Sequence, residues 1–100
     1  MDAQIQRVVE HVHEHHSGHL SMADLAKIAH LSERQLNRRF QETFRMSAQD
    51  FIVRTRIQAA SDALLETDKP VADIAQEHGF CDQSALCRLF RRHLGETPLK

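Results

Sequence analysis

The chain has 100 residues, 41% hydrophobic and 27% charged, with a net charge of −1. That length is one domain, or two small lobes sharing a connector, and the apolar fraction is too high for a disordered chain. No apolar run approaches the ~20 residues of a membrane span and no signal-peptide pattern opens the sequence, so a cytoplasmic protein is expected.

Ile5, Val8, Val9 and Val12 recur at i, i+3, i+4 and i+7. This is one stripe of an amphipathic helix over about 3–16, with Gly18 as its stop. Ser21 then caps a short helix whose inner face is Met22, Leu25, Ala26, Ile28 and Ala29, and Asp24 three residues on gives an approximate capping box. After the turn His30-Leu31, Ser32 is a second cap with Gln35 three residues on. The helix behind it is expected to bury Leu36, Phe40 and Phe44 and to leave Arg34, Asn37, Arg38 and Gln41 outside. Ser47 opens the longest helix, with Phe51, Ile52, Ile57, Ala60, Leu64 and Leu65 as its expected buried side and an end near Thr67. At 1.5 Å per residue, about twenty residues give roughly 30 Å. Pro70 suits the first turn of a helix from Val71 to about His78, because its missing N–H costs nothing there. Gly79 supplies a turn, and Asp82 caps a helix that buries Leu86, Leu89 and Phe90 and ends at Gly95. Thr97-Pro98 should start one more helix, cut short at Lys100, so the sequence reads as a trimmed piece.

The second half repeats the first. Met22-Ala23-Asp24-Leu25-Ala26 returns as Val71-Ala72-Asp73-Ile74-Ala75 at an offset of 49, and Leu36, Arg38 and Phe40 return as Leu86, Arg88 and Phe90 at an offset of 50. The extra residue must sit in the turn between the matched blocks. Self-similarity at a fixed period is one supersecondary unit built twice. The unit reads as short helix, turn, longer helix, and two such units predict two reading heads for one DNA duplex. Charge distribution agrees, although the net charge does not. Arg34, Arg38, Arg39, Arg45, Arg54 and Arg56 stand in one stretch against Glu42 and Asp50, and Arg88, Arg91 and Arg92 have no acid among them. A basic face on a neutral molecule still leaves an electrostatic footprint for nucleic acid. The plain alternative is a solvated arginine-rich helix face.

The stretch Gly79-Phe80-Cys81-Asp82-Gln83-Ser84-Ala85-Leu86-Cys87-Arg88-Leu89-Phe90, running on through Gly95-Glu96-Thr97-Pro98, resembles the AraC (arabinose-regulator) family signature GFxDxSxFxRxFxxxxGxTP. Ser32 to Phe40 is similar to the family's first recognition helix, and Arg56 to Leu65 to its linker pattern RxxxAxxLL. The resemblance runs from about Ile5 to the end. It implies an all-α fold of two helix-turn-helix subdomains, homeodomain-like three-helical lobes, joined by a long linker helix. The expected boundaries are about 3–46 for the first lobe, 47–66 for the linker and 70–100 for the second lobe with its last helix truncated. It implies the DNA-binding domain of a bacterial transcription regulator that binds double-stranded promoter or operator DNA, one recognition helix per lobe in successive major grooves. RNA polymerase is a further partner if the regulator activates. Family members usually carry a separate effector-binding or dimerisation domain on the N-terminal side, which these residues lack.

By position, the resemblance makes Arg34, Asn37 and Arg38 base readers in the first head and Gln83, Ser84, Cys87 and Arg88 in the second. Arg matches guanine, and Asn or Gln matches adenine, through bidentate geometry. Arg38 and Arg88 could instead hold a phosphate or a neighbouring helix. Ser32, Arg39, Arg45, Arg91 and Arg92 are expected on phosphates, which position a protein without reading sequence. Arg54 and Arg56 sit mid-rod, as ion pairs or phosphate contacts, and Phe40, Phe80 and Phe90 belong to the core. Three positions depart from the family: Ala85-Leu86 replaces an often aromatic pair, His30 sits at a common turn glycine, and the Tyr-Arg after Thr-Pro-x-x is missing.

Other chemistry finds less support. His11, His13, His15, His16 and His19 cluster, and His11 and His15 are i, i+4, but the His-Glu-x-x-His order is absent, and solvent-facing imidazoles on a polar helix are the plainer reading. No metal or cofactor is expected. Cys81 and Cys87 read as reduced thiols, with a redox switch as the alternative. No phosphate loop, nucleophile elbow or carboxylate pair indicates an enzyme. The fair rival is a protein-interaction module whose groove accepts a partner helix.

Overall fold

The computed structural model describes residues 2–95. The expected helix at Thr97-Pro98 lies outside the described residues. Six helices follow in order: α1 (Ala3–His15), α2 (Met22–Ala29), α3 (Glu33–Phe44), α4 (Ala48–Glu66), α5 (Val71–Glu77) and α6 (Gln83–Leu94). There is no strand among the described residues.

Short polar side chains start these helices. Ser21, Ser32, Ser47 and Asp82 each accept the backbone N–H three residues on, so a donor with no partner inside the helix is satisfied. At α3 the Gln35 side chain also accepts the Ser32 N–H, completing a capping box. Asp2 does the same for α1, accepting from the Ile5 N–H at 2.9 Å. Pro70 stands one place earlier than expected, as the residue before α5, and supplies no side-chain cap.

Two apolar clusters form. Ile5, Val8 and Val12 of α1, Leu25, Ala26 and Ala29 of α2, Leu36 and Phe40 of α3, and Ala48 and Ile52 of α4 make the first. Ile57 and Ala60 of α4, Ile74 and Ala75 of α5, Phe80, and Leu86 and Phe90 of α6 make the second. The two clusters divide α4 between them. Ile52 and Ile57 are five residues apart, which turns the chain about 140° beyond a full turn, so the helix shows one apolar face to each lobe. A single buried side reaching Leu65 is therefore incorrect. Leu64 packs on the second cluster, while Leu65, one step around the helix, is 85% exposed.

The repeat is visible in the turns. His30 and Gly79, equivalent at the offset of 49, both adopt positive φ, 56° and 87°. Leu31 N–H then bonds back to the Ala26 carbonyl as Phe80 N–H does to Ala75. The next equivalent residues are Ser32 and Asp82, so Cys81 is the inserted residue, held exposed in the turn.

Candidate nucleic-acid interface

Each lobe places its longer helix over the shorter one, and α3 and α6 leave one face uncovered. On α3, Arg34, Gln35, Arg38 and Gln41 are exposed, and Arg34, Gln35 and Arg38 line a shallow cleft. On α6, Gln83, Ser84, Arg88, Arg91 and Arg92 are exposed, whereas Cys87 is half-buried. Ser32 and Arg45 are exposed at the two ends of α3, with Arg45 in left-handed geometry at φ 60°. Arg38 makes one weak ionic contact, 3.8 Å to Glu42, with both side chains mostly in solvent. An exposed pair of this kind holds about 0–1 kcal/mol, too little to keep the guanidinium from a better acceptor. No ion pair to Arg88 is recorded among the described residues.

Two of the expected contact residues are engaged inside the first lobe. Asn37 is half-buried rather than outward, and its Oδ1 accepts the Ala48 N–H at 3.1 Å, fastening the start of α4. A bidentate adenine contact uses both the carbonyl and the amide of an asparagine, so Asn37 would have to release α4 first. Arg39 donates to Asp2 Oδ2 at 3.2 Å and to Gln4 Oε1 at 3.1 Å, and it closes α3 against the start of α1. The Ile5 N–H holds the Asp2 carboxylate below its usual pKa, desolvation opposes this, and the Arg39 charge assists. Helix periodicity gives Asp2 and Gln4 no role; the available signal was the aspartate three residues before the first stripe residue, a start mark for a helix.

The mid-rod arginines also separate. Arg54 is exposed, while Arg56 is half-buried and bonds carbonyls rather than a carboxylate. Its Nε reaches the His16 oxygen at 2.7 Å and an outer nitrogen reaches the Gly18 oxygen at 2.8 Å. Burial presses its pKa down and Cys81 opposes. Among the histidines, His11 and His15 lie with ring centroids 4.5 Å apart, but His16 is not solvent-facing; it meets His78 of the second lobe. Among the described residues no three His, Cys, Asp or Glu side chains group as metal ligands. Cys81 and Cys87 are unpaired thiols, and no helix is long and apolar enough to cross a membrane.

Comparison with known proteins gives the arrangement a context. A helix-turn-helix domain family profile matches residues 25–100. The chain is 30% identical over 97 residues to an uncharacterized helix-turn-helix transcriptional regulator of Staphylococcus aureus, covering 97% of this chain and 13% of that protein. It is 28% identical over 90 residues to LumQ of Photobacterium leiognathi, a probable transcriptional regulator, covering 90% of this chain and 36% of that one. The chain thus spans well under half the length of these curated relatives. Among solved structures, the DNA-binding domain of AdpA, a global transcriptional factor held in complex with a target DNA, superposes with a TM-score of 0.90 at 29% identity, over 97% of this chain and 87% of that one. A Chromobacterium violaceum regulator with an AraC-type DNA-binding domain shares the fold, with a TM-score of 0.90 at 24% identity over 95% of this chain and 85% of that chain.

Proposed function

The chain belongs to the AraC-type family of helix-turn-helix DNA-binding domains of transcription regulators, and from that premise we propose that α3 and α6 read one asymmetric duplex site in two successive major grooves. The family is a class of DNA-binding regulator domain and not a class of enzyme. The observation that carries the reading is the pair Arg38 and Arg88. They are repeat-equivalent, each is exposed on the uncovered face of its helix, and the 19-residue α4 separates their lobes. That rod is about 28 Å long against the ~34 Å of one B-DNA turn.

In this proposal Arg34 and Arg38 contact base edges from the first head. Gln83, Ser84, Cys87 and Arg88 do so from the second, where half-buried Cys87 offers only its thiol edge. Ser32, Arg45, Arg91 and Arg92 meet phosphates. Asn37 and Arg39 hold the first head in shape. The two heads carry different outward residues, so the site is asymmetric, with a footprint of roughly 15–20 base pairs and DNA bending if the rod stays rigid. In the whole regulator, the domain works on promoter DNA in the cytoplasm and brings RNA polymerase into play where it activates.

The test is selection from random duplex DNA at near-physiological salt, repeated with Arg38→Ala and Arg88→Ala. The expected result is a motif of two boxes about ten base pairs apart, each box blurred by one substitution, because a bidentate arginine–guanine pair discriminates by roughly 1–3 kcal/mol. Affinity should fall steeply with salt as counterions are released. No enrichment, or binding to a partner protein that salt leaves unchanged, would move the assignment to a protein-interaction module.

A further inference from the structure

The lobes meet where the end of α1 reaches the α5–α6 turn. His16, just after α1, sets its Nδ1 3.2 Å from the His13 carbonyl oxygen and its Nε2 3.0 Å from Nδ1 of His78, at the end of α5. The two ring planes differ by 9° and the centroids are 5.3 Å apart. That centroid separation exceeds the N···N distance by about as much as two ring nitrogens can project toward each other. The rings therefore lie edge to edge in nearly one plane, aligned for an N–H···N hydrogen bond, and not face to face. Around them the junction is tight. Arg56 clasps the His16 and Gly18 carbonyls, and a Cβ added to Gly79 would stand 2.8 Å from the His16 oxygen.

The hydrogen bonds fix the tautomers. A carbonyl only accepts, so Nδ1 of His16 carries its proton and the neutral ring offers a bare Nε2. Nδ1 of His78 is then the donor. One added proton keeps the link, because a cationic ring still donates to a neutral one. A second added proton leaves two N–H groups facing each other on two cations, and the link is lost.

We propose that His16 and His78 are positioning residues that latch the lobes at a fixed angle while the pair holds at most one extra proton, and that they release the lobes when it holds two. His78 faces His16, Glu77 and Lys69, the last two paired at 3.0 Å. His16 shares a groove with His13, Thr55, Gln58 and Asp62, and the groove on the other side of the junction holds Arg56, His19 and Cys81. Lys69 and Arg56 disfavour the second proton and so oppose release, while Glu77 and Asp62 favour it. Burial, then the neighbouring His16, keeps the His78 pKa below its usual 6.5, with Glu77 pulling it up. A lowered folded value means that His78 stabilises fully above pH 6.5 and that this contribution is lost as pH falls through its folded pKa. For the two-headed reader, a latched pair fixes the spacing between boxes and an open pair relaxes it; this consequence rests on the DNA reading, whereas the latch does not.

The test therefore contains no DNA. Long-range ¹H–¹⁵N spectra of the labelled chain, with residual dipolar couplings for the amides of α3 and α6, would be followed from about pH 7.5 to about pH 4.5. The expected result is a scalar coupling between His16 Nε2 and His78 Nδ1 that disappears as the second proton binds, together with a change in the relative orientation of α3 and α6. His78→Phe should show the acid orientation at every pH; if that variant does not fold, the wild-type titration decides alone. Absence of the N–N coupling at all pH values, or full protonation of both rings with the lobes unmoved, would overturn the latch.

Discussion

The first lobe is tied with polar side chains where the second, at the equivalent positions, shows none among the described residues. At the offset of 50, Asn37 and Arg39 correspond to Cys87 and Leu89. Asn37 fastens α4 and Arg39 fastens α1, while Leu89 packs on its core and Cys87 is a half-buried thiol. Phe40, Phe44 and Phe51 also form a three-ring cluster in the first lobe, with centroids 5.0–5.4 Å apart. The second lobe places Phe80 and Phe90 in its core, and its α5 starts without a side-chain cap. One supersecondary unit thus holds its shape in two ways, by cross-links between helices and by plain apolar packing. The difference teaches that a repeat preserves the core face and the reading face, while the residues between them are free to take up local fastening.

The largest expected effect lies in the cores. Phe40→Ala should cost about 3–5 kcal/mol, and Phe90→Ala less, since Phe90 keeps an exposed edge and lacks the ring cluster. Urea titration followed by amide exchange in each lobe would check the order, and equal losses would remove the contrast. The equivalent turns come next. Gly79→Ala should cost about 2–3 kcal/mol, because positive φ and a backbone oxygen 2.8 Å from the new Cβ act together. His30→Gly should raise stability by about 1 kcal/mol by relieving left-handed strain in an exposed turn. Thermal melts of both variants read the opposite signs directly. Asn37→Ala leaves the Ala48 N–H without its acceptor and should cost about 1–2 kcal/mol, seen as faster amide exchange at the start of α4. Asp2→Asn is the smallest. Because the folded Asp2 pKa is lowered from 3.8, the carboxylate stabilises above that pH and loses its contribution as pH falls through the lower folded value. The melting temperatures of wild type and variant should converge on acidification, and a gap that persists in acid would detach Asp2 from Arg39.

Much of the architecture was legible in the chain. The apolar stripe from Ile5 to Val12, the serine caps and the aspartate at 82 mark helices through interactions within three or four residues, and the helices start there. Leu65 departs from the expected buried side because a linker that serves two lobes breaks the single-face rule at its midpoint. Asn37, Arg39 and Arg56 were read by residue type as outward groups or ion-pair members. Their partners stand 11 to 40 positions away, where no periodicity points.

Sequence alone determined that one helix-turn-helix unit is built twice around a long helix, because capping and apolar spacing are local and the repeat is written in the residues. Tertiary structure alone decided that Arg39 and Arg56 bond within the fold while Arg34, Arg38 and Arg88 stand exposed. It also decided that Cys81 absorbs the insertion and that His16 meets His78 across 62 residues. The reason is physical: a hydrogen bond between distant elements depends on how two packed faces are rotated and how close they come, and core packing sets both.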